Sequence, residues 1–273
     1  MVRIFLGALK VLPFRQAVTR GGGFLGTMIA NVKPARQRIE DNLRNIYPDM
    51  THSEIRQITK AVGGNFGRSF VEILNNDLCQ KSPELRHASG PGLKVLRDAA
   101  AAKTGAIIVS GHFGQWDAAR HYLKSEGMEV GAIYRPSNNH YFDHIFVPQI
   151  EHAGKPAFPS GRRGTTDMVR HVRAGGMVAI LLDQRFGKGE LLDFMGQPAL
   201  TSTAAASVAL KYNLPMIPVY GTRRNGSLDV DIVFEAPIAH TDATTMTQAA
   251  NDSLTAQVRR NPGQWYWLHN RWS

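Results

Sequence analysis

Four short apolar runs, each ending at a glycine or a polar turn, constrain the fold of this 273-residue chain more than any other feature. Ala106–Ser110 runs into Gly111-His112, Val130–Tyr134 into Arg135-Pro136, and residues 177–182 into Asp183-Gln184. Residues 216–220 follow a predicted helix over 202–212. Continuous apolar runs of this length suit strands buried on both faces. Residues 228–234 mostly alternate apolar with polar, as a half-exposed strand does. Between and around these runs lie helical patterns. Residues 36–46 and 53–74 carry apolar side chains at three- and four-residue spacing, separated by Pro48-Asp49, with Thr51 or Ser53 able to cap the second helix. A last helix is predicted over 245–260, stopped before Asn261-Pro262-Gly263. Strands alternating with helices give an α/β fold: one domain with a central, mostly parallel sheet flanked by helices and a helical N-terminal region. No internal repeat or linker divides it.

Composition narrows the partners. Hydrophobic residues make up 43% and charged residues 20%, enough for a core and unlike a disordered chain. The single cysteine, Cys79, excludes an internal disulfide and a Cys-rich zinc site. Lys and Arg number 32 against 22 Asp and Glu, a net charge of +10. Such a balance points to nucleic acid, a membrane surface or an acidic protein. No apolar run reaches the ~18–20 residues of a spanning helix. Nor does the start read as a signal peptide, because Lys10 and Pro13 interrupt its apolar run. Residues 1–39 hold seven basic side chains and no acidic one, interleaved with Phe and Leu. Residues 1–32 therefore read either as a basic amphipathic segment lying on an anionic bilayer, or as a helical pair packed on the body, with the remaining domain over 33–273.

The densest chemical signal is Ser110-Gly111-His112-Phe113-Gly114-Gln115-Trp116-Asp117, between a strand and a predicted helix. Sites in open α/β sheets form beyond the carboxyl ends of strands. His112 suits proton transfer near neutral pH. Asp117 is placed to orient one of its ring nitrogens and to balance the imidazolium, and Gly111 and Gly114 let the backbone turn tightly. A His-x4-Asp spacing also arises by chance around a structural histidine, so position after a buried strand carries the argument. Arg135 follows a second strand, Arg162 and Arg163 lie in a Gly-flanked loop, and Asp183-Gln184 follow a third strand. Arginine forks suit phosphates and developing oxyanions; any one of them alone reads first as surface charge, and their shared place at strand ends carries the argument. His140 and His144 lack the context of a metal site, and no Walker or dinucleotide-binding glycine pattern is present. The tail from Trp265 to Trp272 reads as a base-stacking surface, a core-closing segment or an interfacial anchor.

Taken together, Asn42-Leu43 with Tyr47-Pro48, Gly111 to Asp117, Tyr134-Arg135-Pro136 with Asn138-Asn139, Asp183-Gln184, 194–199 and 262–272 resemble the bacterial lipid A biosynthesis acyltransferases over nearly the whole chain. The resemblance implies a glycerolipid-acyltransferase-like fold and transfer of an acyl chain from acyl carrier protein to a hydroxyl of a lipid A precursor or a related glycolipid. It implies His112 and Asp117 as the catalytic pair; for direct transfer the residues nominated beside them are Arg162 or Arg163 with the amides near Gly114 for the oxyanion, Asp183 and Gln184 to position the acceptor or the histidine, and Arg135 for a head-group phosphate. It implies no metal or cofactor, and a place on the cytoplasmic face of the inner membrane. Members commonly carry an N-terminal spanning helix; here the expectation is peripheral, monotopic attachment to an anionic membrane surface. The family's His-Arg-Arg reads His269-Asn270-Arg271 here. A nucleic-acid-binding protein is the alternative of a different class, without a recognisable RNP, KH or helix-turn-helix pattern. A non-catalytic lipid-surface protein and a hydrolase of the same fold are further alternatives.

Overall fold

Each of the expected strands pairs with another in one seven-stranded sheet of order β1 (Arg86–Ser89), β9 (Val230–Phe234), β8 (Met216–Arg223), β2 (Ala106–Ser110), β5 (Met177–Leu181), β3 (Val130–Tyr134), β4 (Ala157–Pro159). The computed structural model describes residues 12–224 and 227–272. β2 (Ala106–Ser110) lies between β5 (Met177–Leu181) and β8 (Met216–Arg223), with β3 (Val130–Tyr134) and β4 (Ala157–Pro159) beyond β5. These five run parallel; within this sheet β8 and β9 pair antiparallel, and β1 follows β9 in parallel.

Both faces of the sheet are covered, which is why its strands read as continuous apolar runs. Along β2 the side chains alternate between two cores. Ile108 packs with Leu93, Leu96 and Leu123 from the helices Gly92–Ala102 and Ala118–Ser125. Ile107 and Val109 pack with Met168 and Val172 from Arg162–Arg173, Ala205 and Ala209 from Ala204–Tyr212, and Ala250 from Ala243–Arg260.

Local chemistry sets several boundaries. The helix His52–Ile73 begins at a capping box: Thr51 Oγ1 accepts from the Glu54 amide (3.3 Å), and Glu54 Oε2 accepts from the Thr51 amide (2.8 Å). One expectation changes. Arg162 and Arg163 stand not in a loop but in the first turn of a helix, Arg162–Arg173. The stretch around 194–199 leads into the helix Ala204–Tyr212 as expected, and is itself part of an antiparallel hairpin of β6 (Glu190–Phe194) and β7 (Gln197–Thr201). It turns at Met195 and Gly196, with φ of 61° and 86°, a two-residue geometry that matches strand twist. The helix His140–Ala153 and the short edge strands β1 and β4 carry no clear apolar period and were not expected.

Of the expected segment 1–32, residues 1–11 lie outside the described residues. The rest is helical: Phe14–Gln16, a π-turn at Ala17–Gly21, and Gly22–Asn31. It docks on His52–Ile73 backbone to backbone. A Cβ on Gly26 would stand 2.4 Å from the Gly63 carbonyl oxygen, and one on Gly67 would stand 2.2 Å from that of Gly22. Away from this contact, Phe24, Met28 and Val32, four residues apart, are 60%, 50% and 50% exposed. Among the described residues no helix is long and apolar enough to cross a membrane.

Candidate active site

The site grows out of one register. In the parallel pair β2–β5, Ser110 lies opposite Leu181, and the Leu182 amide donates to the Ser110 carbonyl (2.9 Å). Two residues further along each strand come His112 and Asp183. The His112 amide donates to Asp183 Oδ2 (2.7 Å), and its ring Nδ1 stands 2.8 Å from Asp183 Oδ1. A second donor reaches Oδ2 from the C-terminal segment: Trp265 Nε1 at 2.9 Å. Gly111 gives this turn its room, since a Cβ there would meet Leu254 Cδ2 at 2.5 Å.

The carboxylate of Asp183 is fully buried, whereas the His112 side chain keeps 20% of its surface. Burial alone would raise the Asp183 pKa. The neighbouring His112, its two hydrogen bonds and His269 outweigh that and hold the carboxyl well below the usual carboxylate range. An ionised Asp183 accepting from Nδ1–H leaves the lone pair on His112 Nε2, where the Gln184 amide nitrogen stands 3.5 Å away. Trp116, Tyr266 and His269 surround the ring at centroid distances of 5.4, 6.0 and 5.2 Å. Among the described residues no serine or cysteine hydrogen-bonds to His112, whose side-chain partners are Asp183 and Gln184.

The ring nitrogen that the spacing assigned to Asp117 is therefore held by Asp183. Asp117 sits at the head of the helix Ala118–Ser125 and pairs with Arg120 (2.8 Å), while Asn76 Nδ2 donates to its other oxygen (3.4 Å). Arg120 is buried and donates in addition to the carbonyls of Val130, Ile150 and Gly154. Asp117 is the counter-charge that makes this buried guanidinium tolerable.

His112, Asp117 and Arg120 nevertheless line one cavity of about 390 Å³, with Arg135, Ser160 and Gln184 as further polar groups. Its remaining walls are largely apolar, among them Trp116, Ile133, Phe146, Ile150 and Ile180. Arg162 and Arg163 do not line it. With Thr166, Asp167 and Arg170 they form a separate surface depression. Gly114 serves the backbone: its amide donates to the Gln264 carbonyl (2.8 Å), and its carbonyl accepts from Ser69 Oγ (2.9 Å) and Asn65 Nδ2 (3.3 Å). That amide is not open to an oxyanion. Its φ of 57° and a Cβ position 1.9 Å from the Gly221 oxygen require glycine.

The C-terminal tail closes the core and completes the site, so its buried indoles are not a base-stacking surface. Trp265 and Trp267 are buried and meet edge to face at 4.8 Å. The Tyr266 amide donates to the His112 carbonyl (3.0 Å). Asn42 anchors the tail through Nδ2 to the carbonyls of Trp267 (2.7 Å) and His269 (2.9 Å). Spacing arguments pass over Trp265 and His269 as site residues, because they reach it from the far end of the chain; only the crowding of aromatic and basic residues there gave a signal.

The whole chain, residues 1–273, matches the family described as bacterial lipid A biosynthesis acyltransferase. It is 26% identical over 97% of its length to a lipid A biosynthesis acyltransferase of Haemophilus influenzae, covering 84% of that protein. It is 22% identical to a phosphatidylinositol mannoside acyltransferase of Mycobacterium tuberculosis, over 66% of this chain and 58% of that one. On this match over the whole length the chain belongs to the bacterial lipid A biosynthesis acyltransferase family, as an acyltransferase enzyme.

Proposed function

We propose that the protein transfers a fatty acyl chain from an acyl thioester, carried on acyl carrier protein, to a hydroxyl of a lipid A precursor. The observation that carries this reading is His112 Nδ1 held 2.8 Å from the buried Asp183 carboxylate, with the ring on the wall of a largely apolar cavity of about 390 Å³. The cavity supplies an apolar lining for the acyl chain. His112 takes the proton of the acceptor hydroxyl, and the oxygen attacks the thioester carbonyl. The tetrahedral intermediate collapses with cleavage of the C–S bond, and the thiol leaves with the proton from the imidazolium. Asp183 stabilises that imidazolium while it lasts. Asp117, through Arg120, keeps the charged lining in place. Arg135, exposed at the end of β3, is suited to a sugar phosphate of the acceptor.

Partners follow from two surfaces. The depression lined by Arg162, Arg163 and Arg170 is basic and exposes no large apolar side chain, which suits an acidic carrier protein. The exposed Phe24 and Met28 lie on a helix that ends at the exposed Val32, flanked by Arg15, Arg20, Lys33 and Arg36, which suits peripheral binding to the anionic cytoplasmic face of the inner membrane. Acylation of another glycolipid is the second reading, because one relative bears the name of a phosphatidylinositol mannoside acyltransferase.

The test is mass spectrometry of lipid A from cells with the gene, without it, and with His112→Ala. Loss of one acyl group in both of the latter supports the reading. An unchanged lipid A, with a second glycolipid losing the chain, moves the acceptor to that glycolipid.

A further inference from the structure

The site holds a second imidazole that the mechanism above leaves unused. His269 Nε2 stands 3.1 Å from Gln184 Nε2, and the same amide nitrogen stands 3.5 Å from His112 Nε2. The two rings meet edge to face at 5.2 Å. An amide nitrogen carries two N–H groups, so Gln184 can offer one to each imidazole. Accepting requires both rings to be neutral, with a free lone pair on Nε2. For His269 this holds: burial first, and the nearby His112 second, push its pKa down to about 4. Its backbone is fixed by Asn42 and its ring by Tyr266, whose centroid is 4.5 Å away. Gln184, by contrast, is exposed, and the terminal torsion of a free glutamine is broad.

We propose that His269 is a positioning residue. It takes one N–H of Gln184 and so aims the other at the space in front of His112 Nε2, where the acceptor hydroxyl must sit. This rests on the acyl-transfer reading. In the complex the hydroxyl replaces the long Gln184–His112 contact: it accepts from Gln184 N–H and donates to His112 Nε2. As the proton passes to His112 and the oxygen–carbonyl bond forms, the same N–H stabilises the negative charge that develops on the nucleophile. No proton passes through His269.

The experiment uses the full chain with a dodecanoyl thioester of acyl carrier protein and a purified lipid A precursor, measuring kcat, KM for the thioester, and the unfolding midpoint. His269→Ala and Gln184→Ala are each expected to lower kcat about 10- to 100-fold, the cost of one lost hydrogen bond to developing charge, with KM for the thioester little changed. The double variant should be no worse than the worse single one, because both remove the same aimed N–H. His269→Gln, whose amide oxygen can accept in place of Nε2, should recover most of the activity. Losses that multiply in the double variant, or a folded His269→Gln as poor as His269→Ala, overturn the inference. If His269→Ala does not fold, the cycle of His269→Gln with Gln184→Ala decides it by the same two criteria. A wild-type protein that transfers nothing from the thioester, or a fully active His112→Ala, refutes the acyl-transfer reading itself and takes this inference with it.

Discussion

His112 and Asp183, 71 residues apart, are joined twice: ring Nδ1 to Oδ1 at 2.8 Å and backbone amide to Oδ2 at 2.7 Å. The double contact fixes both the position and the tautomer of the histidine, and it separates the two aspartates by role. Asp183→Asn should leave the fold intact and lower kcat by about 10³- to 10⁴-fold, as loss of the orienting carboxylate does in catalytic triads. Asp117→Ala should act first on stability, costing about 3–5 kcal/mol, because it leaves the buried Arg120 without its counter-charge. Steady-state kinetics and urea unfolding of the two variants check the division. Equal stabilities with equal rate losses would contradict it.

Acid should weaken the fold well above the carboxylate range. His269 has its pKa lowered to about 4 by burial, and burial lowers that of His121 as well. A histidine near 6.5 in the unfolded chain then binds more protons unfolded than folded. Its contribution is full above pH 6.5 and is lost as pH falls toward 4, at most about 3 kcal/mol for His269. Asp183 contributes in the same sense, but only below the unfolded carboxylate value of about 3.9. Urea unfolding at pH 7, 6 and 5 should show falling stability, with a shallower fall in His269→Gln. A flat profile over that range would contradict the assignment.

The N-terminal helix depends on backbone contact. Gly67→Ala places a methyl 2.2 Å from the Gly22 carbonyl oxygen, so the helices must separate. The expected cost is about 1–3 kcal/mol, the usual range for overpacking. Gly23→Ala, with nothing within 4 Å of its Cβ, should be neutral or gain up to about 1 kcal/mol from helix propensity. Thermal unfolding of the two variants distinguishes a packed glycine from a free one.

The exposed stripe on the same helix gives a surface prediction. Phe24→Ser with Met28→Ser should leave the unfolding midpoint nearly unchanged, since both side chains already face solvent. Binding to vesicles of anionic phospholipid should weaken by at least about 10-fold per side chain, at ~1.5–3 kcal/mol for each buried apolar group. Sedimentation with vesicles measures it, and undiminished binding would place the membrane contact elsewhere.

Strands and helices were legible wherever they left a local mark. The apolar runs at 106–110 and 130–134 coincide with β2 and β3, and the last helix begins at Ala243 where a pattern over 245–260 was read. The hairpin at 190–201 was missed because its alternation is weak and its turn rests on Met195, not a residue that advertises positive φ. The helix starting at Arg162 was missed because Gly161 and Gly164 suggest a loop; Gly164 in fact makes room where a Cβ would stand 1.7 Å from the Pro159 oxygen.

By itself the sequence determined the α/β class, the motifs of the family, the histidine at the end of a buried strand, and an aspartate at the end of another. All of these follow from local periodicity and residue chemistry. Which aspartate serves the histidine was decided by the tertiary structure alone. Spacing made Asp117 the neighbour of His112, but the helix that starts there turns its carboxylate toward Arg120. The register of β2 on β5 instead carries Asp183 alongside His112, two residues beyond the paired Ser110 and Leu181. Register is a property of two strands packed between shared cores, and a shift of one residue would turn Asp183 to the opposite face.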